Sequence, residues 1–295
     1  MKLIVTKRLM RPSGVVFLVC ALLSMRVAAD NSLEDQLTDQ YRDKVLALRH
    51  SFKSGSQEYS ADGTATTTAE EGPWTLYGRM LVKKIKVDRK HLTIEGTRAI
   101  YVFDKTGSAV QFPEDREHHA EKLKITILLQ QPLSSIDDAS VVLSRILALT
   151  PEDILNSAPA YWRSQLARQM GLKVPMSDAV KIAINAWQGK SVATTSDPTI
   201  FRVGDHNVKM PRITYKQEPF FSEAARSRRF QGVVALNVVV DPTGKVGNVD
   251  IVHPLGMGLD DNAVATVSTW QFQPATKDGE PVAVGVYIEV SFRLY

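Results

Sequence analysis

Residues 232–253, GVVALNVVVDPTGKVGNVDIVH, decide the fold of the last third of the chain. Val233 to Val240 is an aliphatic run of strand length, of the kind covered on one or both faces. Asp241-Pro-Thr-Gly244 has turn chemistry, and the stretch from Lys245 to Val252 returns beside the first run as a hairpin. Outward from that hairpin, Ser222 to Arg229 predicts a short helix before it. Leu259, Ala263, Val267 and Trp270 fall on one helical stripe after it. Val284, Val286, Ile288, Val290, Phe292 and Leu294 then alternate strictly with Gly285, Tyr287, Glu289, Ser291 and Arg293 to the end of the chain. The order α-β-β-α-β predicts an α+β sandwich. Trp270 and Phe272 are expected to plug the helix onto the sheet, Pro274 to stop that helix, and Asp278-Gly279 to turn into the last strand.

The amino-terminal part reads as a separate α+β arrangement. Leu33, Leu37, Tyr41, Val45 and Leu48 recur at helical spacing and predict one amphipathic helix to about residue 52, ended by Gly55. Between residues 57 and 130, Trp74 to Val87, Leu92 to Phe103 and Leu123 to Leu129 show strand-type alternation and predict a small antiparallel sheet. Helical signals return with Ser134 or Ser135 as the cap of a helix through Leu149. Thr150-Pro151-Glu152-Asp153 opens another, and a third runs from near Ser177 to Trp187. Residues 189–209 carry Ser, Thr, Gly, Asp and Pro without periodicity, apart from one short extended run, Ile200 to Val203. They read as a linker between a domain at 30–188 and one at 210–295.

Of 295 residues, 44% are hydrophobic and 23% charged, which excludes wholesale disorder and a polytopic membrane protein. The net charge of +4 is concentrated at the start, where Lys2, Lys7, Arg8, Arg11 and Arg26 stand without an acid. Beyond residue 29 the balance is 36 − 5 = 31 basic against 32 acidic groups, so nucleic acid is not an expected partner. The basic start, the apolar run Gly14 to Met25 and the small residues Val27-Ala28-Ala29 read as a secretory signal at 1–29, with an uncleaved anchor as the alternative. Cys20, the single cysteine, lies in that run, so disulfides, cysteine-based metal sites and a cysteine nucleophile are excluded from the mature chain.

The carboxy-terminal residues resemble the carboxy-terminal domain of the TonB family, the energy transducers of the Gram-negative envelope. The resemblance covers about residues 210–295. It rests on an ordered set: Ala225-Arg226, Gln231-Gly232, Asp241-x-x-Gly244-x-Val246, and Leu255-Gly256-Met257-Gly258-Leu259-Asp260. The set continues through Trp270-x-Phe272-x-Pro274-Ala275, Asp278-Gly279-x-Pro281-Val282 and Val290-x-Phe292. The chain departs from the family pattern in its short signal-like run, in lacking a long proline-rich spacer, and in Phe220-Phe221 where a Tyr-Pro pair is common.

The resemblance implies that the terminal strand takes a short segment of an outer-membrane TonB-dependent receptor by main-chain hydrogen bonding. Carried onto this sequence, the partner-binding stretch is Val286, Tyr287, Ile288, Glu289, Val290, Ser291 and Phe292, with Tyr287, Glu289 and Ser291 as the side chains that read the partner. Arg226, Arg228 and Arg229 form a small basic cluster on the opening helix, read either as a solvated helix face or as a surface that meets acidic lipid or receptor carboxylates. An inner-membrane motor of the ExbB/ExbD kind, acting on a chain held by residues 14–25, completes the implied transducer. A paired or self-dimerised edge, giving a homodimer, is the competing reading of the last strand.

No nucleophile elbow, phosphate loop or dinucleotide fingerprint is present, and Gly256-Met-Gly258 lacks a third glycine, so neither an enzyme nor a cofactor is expected. Asp115, Glu117, His118, His119 and Glu121 are a dense group of acids and histidines, but their spacing matches no zinc motif and no metal is assigned. The alternative function is a secreted periplasmic module. There the sheet at 57–130, flat or a half-open barrel, holds a ligand or partner, and the last domain serves docking or dimerisation. Both readings place the protein in the periplasm or envelope of a Gram-negative bacterium, anchored in the inner membrane if the signal is retained.

Overall fold

The computed structural model describes residues 32–113, 120–172, 200–205 and 207–294. The expected signal, the helix from Ser177 to Trp187, the first part of the linker and the group Asp115 to His119 lie outside the described residues. From Ser32 onward the chain is a single compact α+β unit.

Helix α1 (Leu33–Tyr41) starts on Ser32, whose Oγ accepts from the Asp35 amide. It stops at Tyr41, short of the expected residue 52. Asp43 takes a left-handed conformation (φ 59°), and the chain turns into strand β1 (Val45–Leu48). Val45, Leu46 and Ala47 pair with Leu81, Met80 and Arg79. The four-residue spacing of Val45 from Tyr41 suits a helix, yet Val-Leu-Ala-Leu also suits a buried strand, and pairing with the sheet wins over local periodicity.

The amino-terminal sheet contains β2 (Ser56–Ser60), β3 (Arg79–Val87), β4 (His91–Arg98), β7 (Lys122–Leu128) and β8 (Leu147–Ala148). Its order is β2-β7-β4-β3-β1-β8, antiparallel throughout except for the parallel β2–β7 pair. Lys83 is the extra residue of a bulge, which lets Met80, Val82 and Ile85 stay on the buried face. They pack with Leu92, Ile94, Leu123 and Ile125 against Leu37 of α1 and Leu143 of α3 (Ile136–Ser144). The sheet is therefore an open layer filled by helices, where a half-open barrel was one of the expectations. Trp74 to Val87 is not one strand: Trp74–Tyr77 is a short helix, α2, before Gly78. Leu92 to Phe103 likewise splits into β4 and β5 (Tyr101–Phe103), which pairs with β6 (Ala109–Gln111). Helix α3 ends before Leu149 because Leu147 and Ala148 pair with Leu48 and Ala47. The capping box at Thr150 and Asp153 opens α4 (Pro151–Ser157), and Pro159 then breaks the chain into a further helix, α5 (Ala160–Gln169).

The carboxy-terminal sheet follows the expected order. It contains β9 (Ile200–Arg202), β10 (Val208–Lys209), β12 (Gly232–Val240), β13 (Val246–His253), β15 (Ala275–Lys277) and β16 (Glu280–Phe292). The path is β10-β15-β16-β12-β13, with β9 joining β16. A separate pair joins β11 (Arg212–Tyr215) to β14 (Gln271–Gln273). Helices α6 (Glu223–Ser227) and α7 (Leu259–Val267) complete the domain. Helix α7 ends at Val267, ahead of the expected stop at Pro274, because Gln271 to Gln273 have already entered β14.

One hydrophobic cluster joins the two halves. Trp162 of α5 lies 5.6 Å from Trp74 and 5.3 Å from Phe103, and these rings share a core with Val234, Leu236, Ile251, Leu259 and Val267. The Leu255–Asp260 loop is the seam. Met257 N–H donates to Tyr101 O (2.9 Å), Phe103 N–H to Leu255 O (3.1 Å) and Gly258 N–H to the Thr75 hydroxyl (2.8 Å).

A candidate peptide-docking edge on the terminal strand

Strand β16 has one margin fully laddered. Val284 to Phe292 pair in unbroken register with Val240 to Gly232. The opposite margin is shared. Asp278 and Gly279 (φ 51° and 97°) make the two-residue turn that folds β15 back onto Glu280 to Val282. Strand β9 then runs parallel beside Ala283, Val284 and Gly285. Past Gly285, no strand among the described residues pairs with that margin along Val286 to Phe292. In an antiparallel ladder alternate residues aim their N–H and C=O away from the partner, the geometry on which strand addition relies. At the far side of the sheet, by contrast, α5 lies against β13.

The alternation read from the sequence sets the side chains. Ile288, Val290 and Phe292 are buried in the core, while Tyr287, Glu289 and Ser291 are exposed on the other face. The Tyr287 hydroxyl donates to Glu289 Oε1 at 3.3 Å, and burial of the ring raises its phenol to about 12, so it stays a neutral donor. Asn237 stands directly opposite Tyr287, is 3% exposed, and its Nδ2 has no partner among the described residues. Sequence reasoning passed over Asn237, although a polar residue interrupting Val233 to Val240 was the available signal.

The three arginines do not form one patch. Arg226 is exposed and stands 5.8 Å from the Phe221 ring, which meets Phe292 edge-on at 5.5 Å, so Arg226 belongs with the end of β16. Arg229 is exposed in a left-handed conformation (φ 49°) just after α6. Arg228 turns to the amino-terminal half. Its Nη1 donates to Ala224 O, and its guanidinium is 5.9 Å from Phe112.

The glycine loop at 256–258 has a structural explanation. Asp260, fully buried, accepts from the Leu255 and Gly256 amides at 2.7 and 2.6 Å and so consumes donors that a phosphate would need. Among the described residues no group of three metal-ligating side chains is present, and no helix is long and apolar enough to cross a membrane. Glu121 lies with its carboxylate 3.8 Å from Arg98 Nε.

The carboxy-terminal part is a hairpin-centred α+β domain closed by one long terminal strand. Residues 217–294 match the family described as Gram-negative bacterial TonB protein C-terminal, and this region is a TonB-like carboxy-terminal domain. Protein TonB of Vibrio cholerae serotype O1 is 28% identical over 83 residues, covering 28% of this chain and 34% of that protein. The chain thus matches about a third of the length of that curated relative. The solution NMR structure of the Pseudomonas aeruginosa TonB CTD covers 32% of this chain and 97% of its own, at 15% identity and a TM-score of 0.26. A structure of the tonb2 protein from Vibrio anguillarum covers 35% and 100%, at 27% identity and a TM-score of 0.22.

Proposed function

We propose that the protein is a TonB-like adaptor of the Gram-negative envelope, and that the open margin of Val286 to Phe292 accepts an extended segment of an outer-membrane TonB-dependent receptor as an added strand. The observation that carries this reading is the asymmetry of β16, laddered on one side to Phe292 and sheltered on the other only as far as Gly285. Main-chain bonds supply affinity in such docking, and Tyr287, Glu289 and Ser291 supply selectivity. Arg226, next to Phe221 and Phe292, meets carboxylates at the end of the added strand. Coupling to an inner-membrane motor of the ExbB/ExbD kind requires that residues 14–25 be kept as an anchor.

A second reading, a periplasmic scaffold, draws support from the shared core. Trp74, Phe103 and Trp162 hold the docking domain against the amino-terminal half in place of a free tether. Cysteine cross-linking tests the docking claim. Tyr287→Cys and Ser291→Cys are expected to form disulfides with a cysteine-bearing peptide copied from a receptor's amino-terminal segment, whereas Thr276→Cys is not. Equal labelling at all three positions, or at none, rejects strand addition.

A further inference from the structure

We propose that a pocket in the amino-terminal half, with Arg79 in its lining, binds a singly charged carboxylate carrying an apolar body, of the size of a medium-chain fatty acid. The pocket has a volume of about 420 Å3, within the range of small-molecule sites of roughly 300–1,000 Å3. Ile154, Leu166 and Met170 line it with hydrocarbon, and Arg79, Ser108 and Gln169 supply its polar groups. No acid lines it.

The Arg79 guanidinium is held between two rings, 4.6 Å from the Trp74 centroid and 4.1 Å from that of Tyr101. Its Nε is buried without a hydrogen-bond partner, and no described carboxylate forms an ion pair with it. Arg98 shows what this fold does with a structural arginine. At 3% exposure it donates to the carbonyls of Phe52, Ser54 and Tyr77 and has Glu121 within 3.8 Å. Arg79 instead has the two rings and a side-chain hydrogen bond to Tyr101, with no backbone carbonyl as its acceptor and no carboxylate beside it among the described residues. A partly buried cation without a counter-charge is costly, and an anion from solution relieves the cost.

The head group carries one charge because Arg79 is the single cation among the described residues that line the pocket. A phosphate dianion would leave its second charge unmatched. The tail is apolar because Ile154, Leu166 and Met170 offer no hydrogen bonds to replace water. Gln169 already spends an amide proton on Gly107 O at 2.6 Å, and the Ser108 hydroxyl is within 2.9 Å of that of Thr106, so both polar walls are held in place.

Titration of the full chain with dodecanoate, dodecanol and dodecyl phosphate tests the assignment, read by calorimetry and by the fluorescence of Trp74 against Arg79. Dodecanoate is expected to bind saturably at one site. Arg79→Gln should weaken dodecanoate by about tenfold or more, leave dodecanol nearly unchanged and keep the circular dichroism spectrum. Met170→Trp, which fills the pocket and leaves Arg79 in place, should weaken both. Non-saturating uptake, equal loss of dodecanoate and dodecanol in a folded Arg79→Gln, or tighter binding of the phosphate dianion overturns the proposal. Receptor-peptide cross-linking at β16 should be unaffected in either variant, which separates this site from the docking edge.

Discussion

Tyr161 donates its hydroxyl to Asp261 Oδ1 across 2.9 Å, fastening α5 of the amino-terminal half to the first turn of α7 in the carboxy-terminal domain. The same carboxylate stands 3.5 Å from the Trp74 amide, and its second oxygen, Oδ2, has no partner among the described residues. Desolvation raises Asp261 to about 6, and it raises the neighbouring Asp260 to about 7 despite two backbone hydrogen bonds. Two carboxyls with raised values at one seam make the joint between the halves sensitive to pH.

The sign follows from linkage. Between the ordinary carboxylate value and about 7, the folded chain binds more protons at Asp260 and Asp261 than the unfolded chain does. Their contribution is therefore complete below pH 4 and lost as pH rises through 6 to 7. His253, depressed by burial, acts in the opposite sense near its ordinary value. Urea denaturation between pH 5 and 8 should show a fall in stability with rising pH that is reduced in Asp260→Asn. An unchanged slope in that variant contradicts the account.

Tyr161→Phe removes the one hydroxyl that meets Asp261 and leaves the carboxylate at the seam. A loss of about 1–3 kcal/mol is expected at pH 7, read from the denaturation midpoint. The loss should shrink at pH 5, where Asp261 is protonated.

Gly244 carries the β12–β13 hairpin and cannot take a side chain. Its φ is 83°, and a Cβ placed there would stand 1.8 Å from Phe272 O, because Phe272 N–H donates to Gly244 O. Gly244→Ala should cost about 2 kcal/mol or more in thermal unfolding. Asn at the same position should be no better, since the clash is with backbone.

Arginine substitutions should separate the sequence cluster. Arg228→Ala loses its bond to Ala224 O and its packing on Phe112, and should lower stability by about 1 kcal/mol. Arg226→Ala, at an exposed site, should stay within about 0.5 kcal/mol while weakening peptide docking.

What could be read from sequence tracks how local the cause is. Asp241-Pro-Thr-Gly244 folds by its own chemistry: the Asp241 carboxylate accepts from Thr243 N–H and Lys245 N–H, and Gly244 N–H closes on Asp241 O. Asp278-Gly279 and the alternation of Val284 to Phe292 are equally self-contained, so the carboxy-terminal hairpin, stripe and last strand were legible. Val45 was not, because its fate depends on Leu81, far along the chain. Nor were α5, the parallel seat of Ile200 beside Ala283, or the place of Arg79 between Trp74 and Tyr101, since each is set by partners that sequence spacing does not bring together. Within the candidate site, the inward and outward faces of β16 could be read directly. The inward turn of Arg228 and the place of Asn237 opposite Tyr287 required the fold.

Residue-resolved amide exchange along Val286 to Phe292, with and without a receptor-segment peptide, bears most directly on the docking mechanism. In the free protein, alternate amides should exchange quickly while their neighbours bonded to β12 stay protected, and the peptide should slow the fast set alone. Uniform protection of the whole stretch without peptide, or fast amides that the peptide leaves unchanged, would contradict it.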